Sequence, residues 1–567
     1  MNQTRTFLIF AWLAVATMLY IAWTRDQAAP PPGEAVVAAQ DAGAIATGDT
    51  VPDLAPGTMP SAPAAAPSMS AAPPASASAS SPAVTVTTDV LRVVLDGGAM
   101  RQADLLQYPQ TTAAGAPPMR LFASDAAHFY QAQSGWVSNG HPAPTHDAFR
   151  PAGTQRAYAL APGQDTLSVP FEWTGPDGVT IRRTWTFQRG DYAVNVHDEV
   201  VNAGDAPWQG YVYRQLVRVP PAVKSSFTNP ESYSFHGATW FSEQDKFERR
   251  KFGEFEEDGP LHKEVTGGWI AMLQHHFFTA WIPGSKDRST FSLASPQGGT
   301  QALVRELGPG VAVAPGTSAE TSARLWVGPK LVEAIAAQDV HGLERAVDFS
   351  RFGWLAWIAE LLFSVLAFLH GIFGNWGWAI IGLVVVIKAI LFPLSAAQYK
   401  SAAKMRRFQP RIEQLKERYG DDKQKLQMAM MELYKKEKIN PVGGCLPLLV
   451  QMPVFLALYY TLLESVELRQ APWIGWIQNL TAPDPYFILP AINIAVMWAT
   501  QKLTPTPIAD PMQRKMMQYM PVAMGVMFAF FPAGLVLYWV TNGSLGLLQQ
   551  WYMLRKYGDK PVAAKGD

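Results

Sequence analysis

The second half of the chain is dominated by apolar runs that are long enough to cross a lipid bilayer. A transmembrane helix needs roughly 20 predominantly apolar residues, and another such run, residues 7–23, lies near the N-terminus. The sequence therefore predicts a multi-domain membrane protein with an α-helical polytopic core and six transmembrane helices in total. The five runs of the second half lie at about 376–398, 446–463, 486–503, 516–531 and 535–552.

The distribution of charge sets the expected orientation of these runs. Residues 400–438 contain twelve Lys/Arg against six Asp/Glu, so this segment belongs in the cytoplasm. Six crossings place both termini on the same side, and Arg555, Lys556, Lys560 and Lys565 follow the last run as the same rule requires. We therefore expect both termini, including the tail 558–567, in the cytoplasm and the long region after the first span outside it.

The N-terminal segment resembles an uncleaved signal anchor. Its apolar run is long for a signal peptide and no small-residue cleavage site follows it directly, so residues 1–26 are expected to stay as a membrane anchor. Residues 27–83 are rich in Ala, Pro and Ser, which predicts a disordered linker. The single cysteine, Cys445, excludes a disulfide framework.

Residues 84–345 carry the signals of an extracytoplasmic all-β domain. Apolar residues alternate with polar ones from Val179 to Phe187 and again from Tyr192 to Val196, which predicts a hairpin, and similar strands recur between Gly/Pro-rich turns. A β-sandwich fits this spacing. His275 and His276 could suggest a metal site, but neighbours in a strand point to opposite faces, so no metal is expected and a non-catalytic role is favoured.

Residues 346–372 are expected to form an interfacial amphipathic helix. If the β domain is outside and the basic segment inside, only one of the runs 352–369 and 376–394 can cross. Glu360 interrupts the first run, which makes that run the better interfacial helix. The predicted lipid-facing residues are Trp354, Trp357, Leu361, Leu362, Val365 and Leu369.

Lys388 is the most informative residue of the second run. At ~1.5 Å per helical residue it lies about 18 Å from Trp376, so its side chain cannot easily reach that membrane face. A cation at this depth costs about 2.5 to 3.5 kcal/mol on insertion scales and usually faces a water-filled cavity or a bundle interior. Because no acidic residue after Glu344 is expected at mid-membrane, a hydrated cavity is favoured over a structural ion pair.

Polar residues in the other spans could line the same cavity. Each one alone is explained by a hydrogen bond between packed helices, but together with Lys388 they indicate a partly hydrated groove. The residues that we predict for this groove are Lys388, Gln451, Asn493, Tyr538, Trp539 and Thr541, and Asn542 and Ser544 lie in the same span as the last three.

Residues 400–440 are expected to form a basic helical hairpin on the cytoplasmic side. Apolar residues recur at helical spacing on both sides of Tyr419-Gly420-Asp421-Asp422. A solvated charged face and a surface that binds ribosomal RNA, anionic lipid or a partner protein both remain open. The basic residues proposed for contact are Lys404, Arg406, Arg407, Arg411, Lys416 and Arg418.

Short motifs across residues 352–557 carry a family resemblance. On these motifs the chain resembles the YidC/Oxa/Alb family of membrane protein insertases, in the Gram-negative type with a large periplasmic domain. The motifs are Phe392-Pro393-Leu394-Ser395, Asn440-Pro441-Val442-Gly443-Gly444-Cys445-Leu446-Pro447, Gln451-Met452-Pro453, Asp484-Pro485-Tyr486 and Pro532-Ala533-Gly534-Leu535-Val536-Leu537-Tyr538-Trp539.

The resemblance implies an insertase core at 373–557, with five helices around a groove open to cytoplasm and lipid, and a β-supersandwich in the periplasm. Lys388 occupies the position of the family's single groove cation, where many members have arginine. No enzymatic activity, cofactor or metal is implied. The expected partners in the bacterial inner membrane are nascent membrane proteins, the Sec translocase with its accessory subunits, the ribosome, a signal-recognition-particle receptor and anionic lipids, and not DNA.

Two rival functions remain open from the residues alone. A secondary transporter could use Lys388 as an anion site, although we find no inverted repeats with paired broken helices. Alternatively, the chain could be a membrane-anchored periplasmic carbohydrate-active or carbohydrate-binding protein whose helices serve only to hold the β domain.

Overall fold

The computed structural model describes residues 83–222, 234–259, 261–347, 349, 352–396, 408–419, 422–436, 446–503 and 511–557. The predicted anchor 1–26, most of the predicted linker and the tail 558–567 lie outside the described residues, as do Cys445, Lys404, Arg406 and Arg407.

The β domain consists of two stacked sheets. One sheet has the strand order β14-β17-β18-β11-β5-β3-β2-β1-β7, with β4 paired to β3, and the other has the order β13-β12-β15-β16-β19-β10-β9-β8-β6. The strands are β1 Val84–Thr87, β2 Leu91–Asp96, β3 Ala99–Pro109, β4 Pro118–Phe122, β5 Tyr130–Val137, β6 Arg150–Pro151, β7 Ala157–Ala159, β8 Thr166–Thr174, β9 Val179–Gln188, β10 Ala193–Asn202, β11 Trp208–Arg218, β12 Gly237–Ser242, β13 Lys246–Lys251, β14 Leu261–Thr266, β15 Trp269–Leu273, β16 Phe277–Pro283, β17 Arg288–Ala294, β18 Ala302–Val313 and β19 Ser318–Pro329.

The two sheets bury one another's apolar faces. Along β9 every second residue, from Val179 to Phe187, is buried, and β10 pairs with it antiparallel, which confirms the predicted hairpin and the β-sandwich. Six tryptophans of the β domain are fully buried. Buried polar contacts tie the layers together: the Trp281 indole N–H donates to the carbonyl of Gln215 at 3.1 Å.

Most of the described residues after the β domain lie in helices. Gly374, with φ of 64°, ends the first long helix, and the Asn375 side chain caps the next by accepting hydrogen bonds from two backbone N–H groups. The helices are α1 Glu254–Glu257 and α2 Val332–Ala336 in or beside the β domain, then α3 Gly353–Phe373, α4 Trp376–Ile390, α5 Gln409–Tyr419, α6 Lys423–Lys436, α7 Leu446–Glu464, α8 Ile488–Leu503, α9 Pro511–Phe528 and α10 Ala533–Tyr557.

The predicted span at 376–398 is not one regular helix. Pro393 has no N–H to donate to the carbonyl of Ala389, and its ring crowds that carbonyl. Helix α4 therefore ends at Ile390, the chain turns at Leu391, and helical structure resumes at 392–396. Lys388 lies in the last turn of α4, just before this interruption.

Helix α3 packs against other helices with one face and leaves the other face exposed. The carbonyl of Ala359 accepts a hydrogen bond of 3.2 Å from Thr461 of α7, and Trp354, Trp357 and Phe368 are exposed. The prediction that Leu362 and Leu369 face lipid is wrong, because both are buried. The sequence pattern did not show that α3 has helical neighbours of its own, which cover these leucines.

Only one helix of the described part of the chain is both long and apolar enough to cross a membrane by length and composition. This helix is α3, with 21 residues, whereas α4 is apolar but shorter. The count of six crossings is thus not confirmed and stays a prediction.

The β domain contacts the helical region through a polar interface at the end of α7. Lys330 Nζ lies 3.4 Å from Glu464 Oε2, and both side chains are buried. Ser234 donates to the same carboxylate at 2.8 Å, and His275 Nε2 donates to the carbonyl of Leu463 at 2.8 Å. His275 and His276 lie in the turn after β15 with their rings stacked 3.7 Å apart, so the predicted opposite orientation is wrong.

Glu467 extends this interface beyond α7. Its Oε1 accepts the backbone N–H of Val332 at 3.2 Å, while Oε2 is buried and no described residue hydrogen-bonds it. Burial disfavours the charged carboxylate and raises the pKa of Glu467 to about 7. Next to it, Arg469 and Gln470 donate to the carbonyl of Pro109 at 2.9 and 3.0 Å.

The raised pKa of Glu467 makes the interface sensitive to pH. The packed state keeps a proton that an exposed glutamate releases near its ordinary pKa of 4.5. The contribution of Glu467 to packing is therefore largest below pH 4.5 and is lost as the pH rises through about 7, by an amount on the order of 3 kcal/mol. Hydrogen exchange at the Val332 amide, corrected for intrinsic rates, should quicken from pH 5 to pH 7.5. This acceleration of exchange should vanish in Glu467→Gln and should persist in Glu344→Gln, an exposed control. If the acceleration persisted in Glu467→Gln, another titrating group would be its cause.

The buried pair Lys330–Glu464 should show strong coupling. Lys330→Met leaves the Glu464 carboxylate buried without its cation, a change that costs about 3 to 5 kcal/mol in comparable pairs. Hydrogen exchange at the ends of β19 and α7 should rise strongly in this variant. The double variant Lys330→Met/Glu464→Met should recover most of the protection, and equal losses in the single and double variants would show that the pair is not coupled.

Candidate functional site

Lys388 faces the middle of helix α10. A Cβ atom placed on Gly546 would lie 3.6 Å from the Lys388 Nζ, so the glycine leaves space for the ammonium group against the helix. Gly546 is the fourteenth of the 25 residues of α10. The cation therefore meets its neighbouring helix near that helix's centre rather than at an end.

A polar stripe runs along the same side of α10. Tyr538, Asn542, Gly546 and Gln550 are spaced four residues apart, and residues at i and i+4 lie on one face of a helix. The Nε2 of Gln451 on α7 donates to the Asn542 Oδ1 at 3.1 Å, about one helical turn from the level of Lys388. Tyr538 is buried and interacts with the side chain of Gln451. The structure thus brings Lys388, Gln451 and Tyr538 to one stripe.

No carboxylate in the described part of the chain forms an ion pair with the half-buried Lys388. Glu464 is held by Lys330 in the β domain, Glu467 lies in the turn after α7, and Glu360 is exposed on α3. Gly546 and its polar neighbours on α10 supply no negative charge. Among the described residues, the Lys388 ammonium group therefore has no opposite charge beside it.

The other three predicted groove residues lie elsewhere in the bundle. Asn493 is buried on α8, where its amide contacts the sulfur of Met497 at 3.8 Å. Trp539 belongs to an aromatic cluster, with its ring centroid 5.1 Å from Phe455 and 3.7 Å from Phe528. Thr541 is half-buried on α10, turned about 100° from Asn542.

Two of the predicted hairpin residues can be placed. Arg411 lies on α5 with its guanidinium 5.8 Å from the Phe408 ring, and Arg418 lies 5.8 Å from the ring of Tyr419. Both are exposed. The backbone of Lys416 is helical, and the positions of Lys404, Arg406 and Arg407 lie outside the described residues.

Sequence reasoning missed Gly546 and left Asn542 out of the predicted site. A glycine without a side chain carries no chemical signal, and its role depends on how closely α4 approaches α10. The available signal was the four-residue spacing from Tyr538 to Gln550 within an otherwise apolar helix. Within the described ranges, no group of three or more His, Cys, Asp or Glu is placed to hold a metal ion.

Comparison with known proteins covers both parts of the chain. Residues 83–365 match the family described as the YidC periplasmic domain, and residues 368–560 match the family described as the 60Kd inner membrane protein. A crystal structure of an active YidC insertase with its first transmembrane domain resolved is 18% identical, covering 84% of this chain and 93% of that chain with a TM-score of 0.37.

Curated relatives match along the full length. The membrane protein insertase YidC of Stenotrophomonas maltophilia (strain R551-3) is 59% identical over 566 residues, covering 100% of this chain and 98% of the relative. That of Xanthomonas campestris pv. campestris (strain B100) is 58% identical, covering 99% of this chain and 98% of the relative. These relatives support neither the transporter nor the carbohydrate-active alternative. The chain belongs to the YidC family of membrane protein insertases, inner-membrane proteins with a periplasmic domain that act on nascent membrane proteins and are not enzymes.

Proposed function

We propose that Lys388 is the transient docking charge of the insertase. An acidic tail of a nascent membrane protein enters a hydrated groove from the cytoplasm, is held by the ammonium group beside Gly546, and then crosses to the periplasm. The observation that carries this proposal is the approach of Lys388 to Gly546 on the polar stripe of α10, without a carboxylate among the described residues.

A site that binds clients only transiently needs a cation that attracts carboxylates but is not already paired with one. A buried ion pair such as Lys330–Glu464 would be costly to open, because each separated charge would lose its partner. Lys388 has no such partner to lose among the described residues. Moreover, a single ammonium with three rotatable donors attracts carboxylates without the fixed two-point geometry of a guanidinium, which suits clients of varied sequence.

Release into lipid requires apolar surfaces beside the groove. On α9 the side chains of Met516, Tyr519, Met520, Val522 and Val526 are exposed. We propose that they face lipid and guide the client's apolar segment, since flexible thioethers adapt to many partners. Moving a segment of ~20 apolar residues into the bilayer supplies the driving force, so no nucleotide is needed.

We further propose six membrane crossings with both termini in the cytoplasm. The crossings would be the N-terminal anchor, α4, α7, α8, α9 and α10. Helix α3 would lie at the periplasmic surface, because it crosses the outer ends of its neighbours. Trp376, the first residue of α4, touches both Phe363 and His370, with ring centroids 6.4 and 4.0 Å away, and Thr461 lies in the last turn of α7.

The hairpin α5–α6 is the proposed contact for cytoplasmic partners. Its exposed Arg411 and Arg418 fit a role in binding the ribosome or anionic lipid, and we expect the Sec translocase with its accessory subunits and a signal-recognition-particle receptor to cooperate with the core. Ribosome binding that is unchanged in Arg411→Glu/Arg418→Glu would remove this assignment.

A charge series at Lys388 tests the docking role in a reconstituted insertion assay. For a client with an acidic tail, Lys388→Arg should insert at nearly the rate of the unmodified protein, whereas Lys388→Glu should fall by at least about tenfold, because attraction becomes repulsion. A client with a neutral tail should be affected much less. Lys286→Glu in the β domain is the matched control, and the electrostatic role fails if Lys388→Glu matches Lys388→Arg.

We predict that insertion of the acidic client depends on the space beside Gly546 as well as on the charge of Lys388. Gly546→Ala places its methyl group in ordinary contact with Lys388 and should be tolerated, while Gly546→Leu should displace the ammonium and slow insertion of the acidic client by about tenfold. Both substitutions favour helix formation, so helix destabilisation cannot explain a loss. Equal activity of the two variants would mean that Lys388 does not act at this face of α10.

A further inference from the structure

A second groove lies between α8 and α10, away from the polar stripe. It has a volume of about 560 Å³, and its lining side chains are apolar apart from one hydroxyl, one ammonium group and the N–H groups of two tryptophans. Counting about 100° per residue, its α10 residues lie roughly 100 to 200° around the helix from Gly546. The groove thus faces away from Lys388. Its lining residues are Trp498, Ala499, Lys502, Leu503, Ser544, Leu547, Leu548 and Trp551.

Each wall of the groove carries a tryptophan with a cation stacked on it. The Lys502 Nζ lies 3.6 Å from the centroid of the Trp498 ring on α8, and the Arg555 guanidinium lies 4.0 Å from the Trp551 ring on α10. Both pairs are spaced four residues apart, with the cation on the C-terminal side. In the described part of the chain neither cation forms an ion pair with a carboxylate.

The ring contacts orient the cations without using their hydrogen-bond donors. An ammonium or guanidinium over a tryptophan face gains on the order of 0.5 to 2 kcal/mol from the ring quadrupole. Its N–H groups stay available to an oxyanion, and a guanidinium can bind a phosphate through two parallel hydrogen bonds. Two positive groups at one end of an apolar groove are therefore complementary to a molecule with an anionic head and an apolar tail.

We propose that this groove binds a phospholipid with an anionic headgroup. One acyl chain lies along Leu547 and Leu548 between the two tryptophans, and the phosphate contacts Lys502 and Arg555. In the topology proposed above, this end of α8 and α10 is the cytoplasmic end, where anionic lipids attract basic residues by about 1 kcal/mol per residue. The half-exposed tryptophans, with apolar rings and a polar N–H, suit the boundary between headgroups and acyl chains.

A phospholipid fits this groove better than a client segment does. A nascent helix with a polar tail needs a polar path, and the polar stripe with Lys388 lies on the other side of α10. The lipid would instead fill the gap between α8 and α10 and hold their cytoplasmic ends in register.

Native mass spectrometry of the full-length protein, released from nanodiscs of phosphatidylcholine and phosphatidylglycerol, tests this proposal. The unmodified protein should retain phosphatidylglycerol selectively. Lys502→Gln/Arg555→Gln should weaken retention by about tenfold. Lys435→Gln/Lys436→Gln, which removes two exposed charges from α6, should change it less than about twofold.

Three outcomes would overturn the proposal. If the α6 control lost as much phosphatidylglycerol as Lys502→Gln/Arg555→Gln, the effect would come from general surface charge. If the protein retained phosphatidylcholine as well as phosphatidylglycerol, the groove would bind acyl chains without recognising the headgroup. Cross-linking from a photoreactive residue at Leu548 to a client segment instead of lipid would assign the groove to clients. The readout does not use insertion, so it is independent of the role proposed for Lys388.

Discussion

The arrangement of the helical region depends on accommodating one cation inside an apolar bundle. The Lys388 ammonium group lies against the centre of α10 at Gly546, beside a polar stripe that includes Asn542 and Tyr538. An ammonium group at such a depth is tolerated only with water or polar groups around it. This constraint is the physical basis for the hydrated groove that we propose at Lys388.

The buried charges of the β domain form an informative contrast. Arg183 pairs with Asp198 at 2.6 Å, Arg214 with Glu306 at 2.9 Å, and Lys330 with Glu464 at 3.4 Å. In these pairs each charge is neutralised inside the fold, and the last pair also fastens the β domain to the end of α7. Lys388 lacks this kind of neutralisation among the described residues, which is consistent with the client-docking role that we propose for it.

Much of the fold follows from local patterns, whereas the site depends on contacts between distant segments. Alternating residues predicted the hairpin of β9 and β10 because each strand has one buried face, and Lys388 stood out because its environment is apolar for many residues on both sides. The buried positions of Leu362 and Leu369 could not be predicted, since they depend on which helices pack on α3. The pairing of Lys330 with Glu464 and the approach of Lys388 to Gly546 join segments more than 100 residues apart, and neither leaves a periodic signal.

The central claim is that position 388 is hydrated and reached from the cytoplasm, and site-specific labelling tests it most directly. Cys445 is the only cysteine, so Cys445→Ser provides a clean background for Lys388→Cys and for Val385→Cys, an exposed apolar position three residues earlier on α4. In inverted membrane vesicles, a membrane-impermeant maleimide should label position 388 at least about tenfold faster than position 385, because the thiolate must form in water to react. Equally slow labelling at both positions would contradict the account.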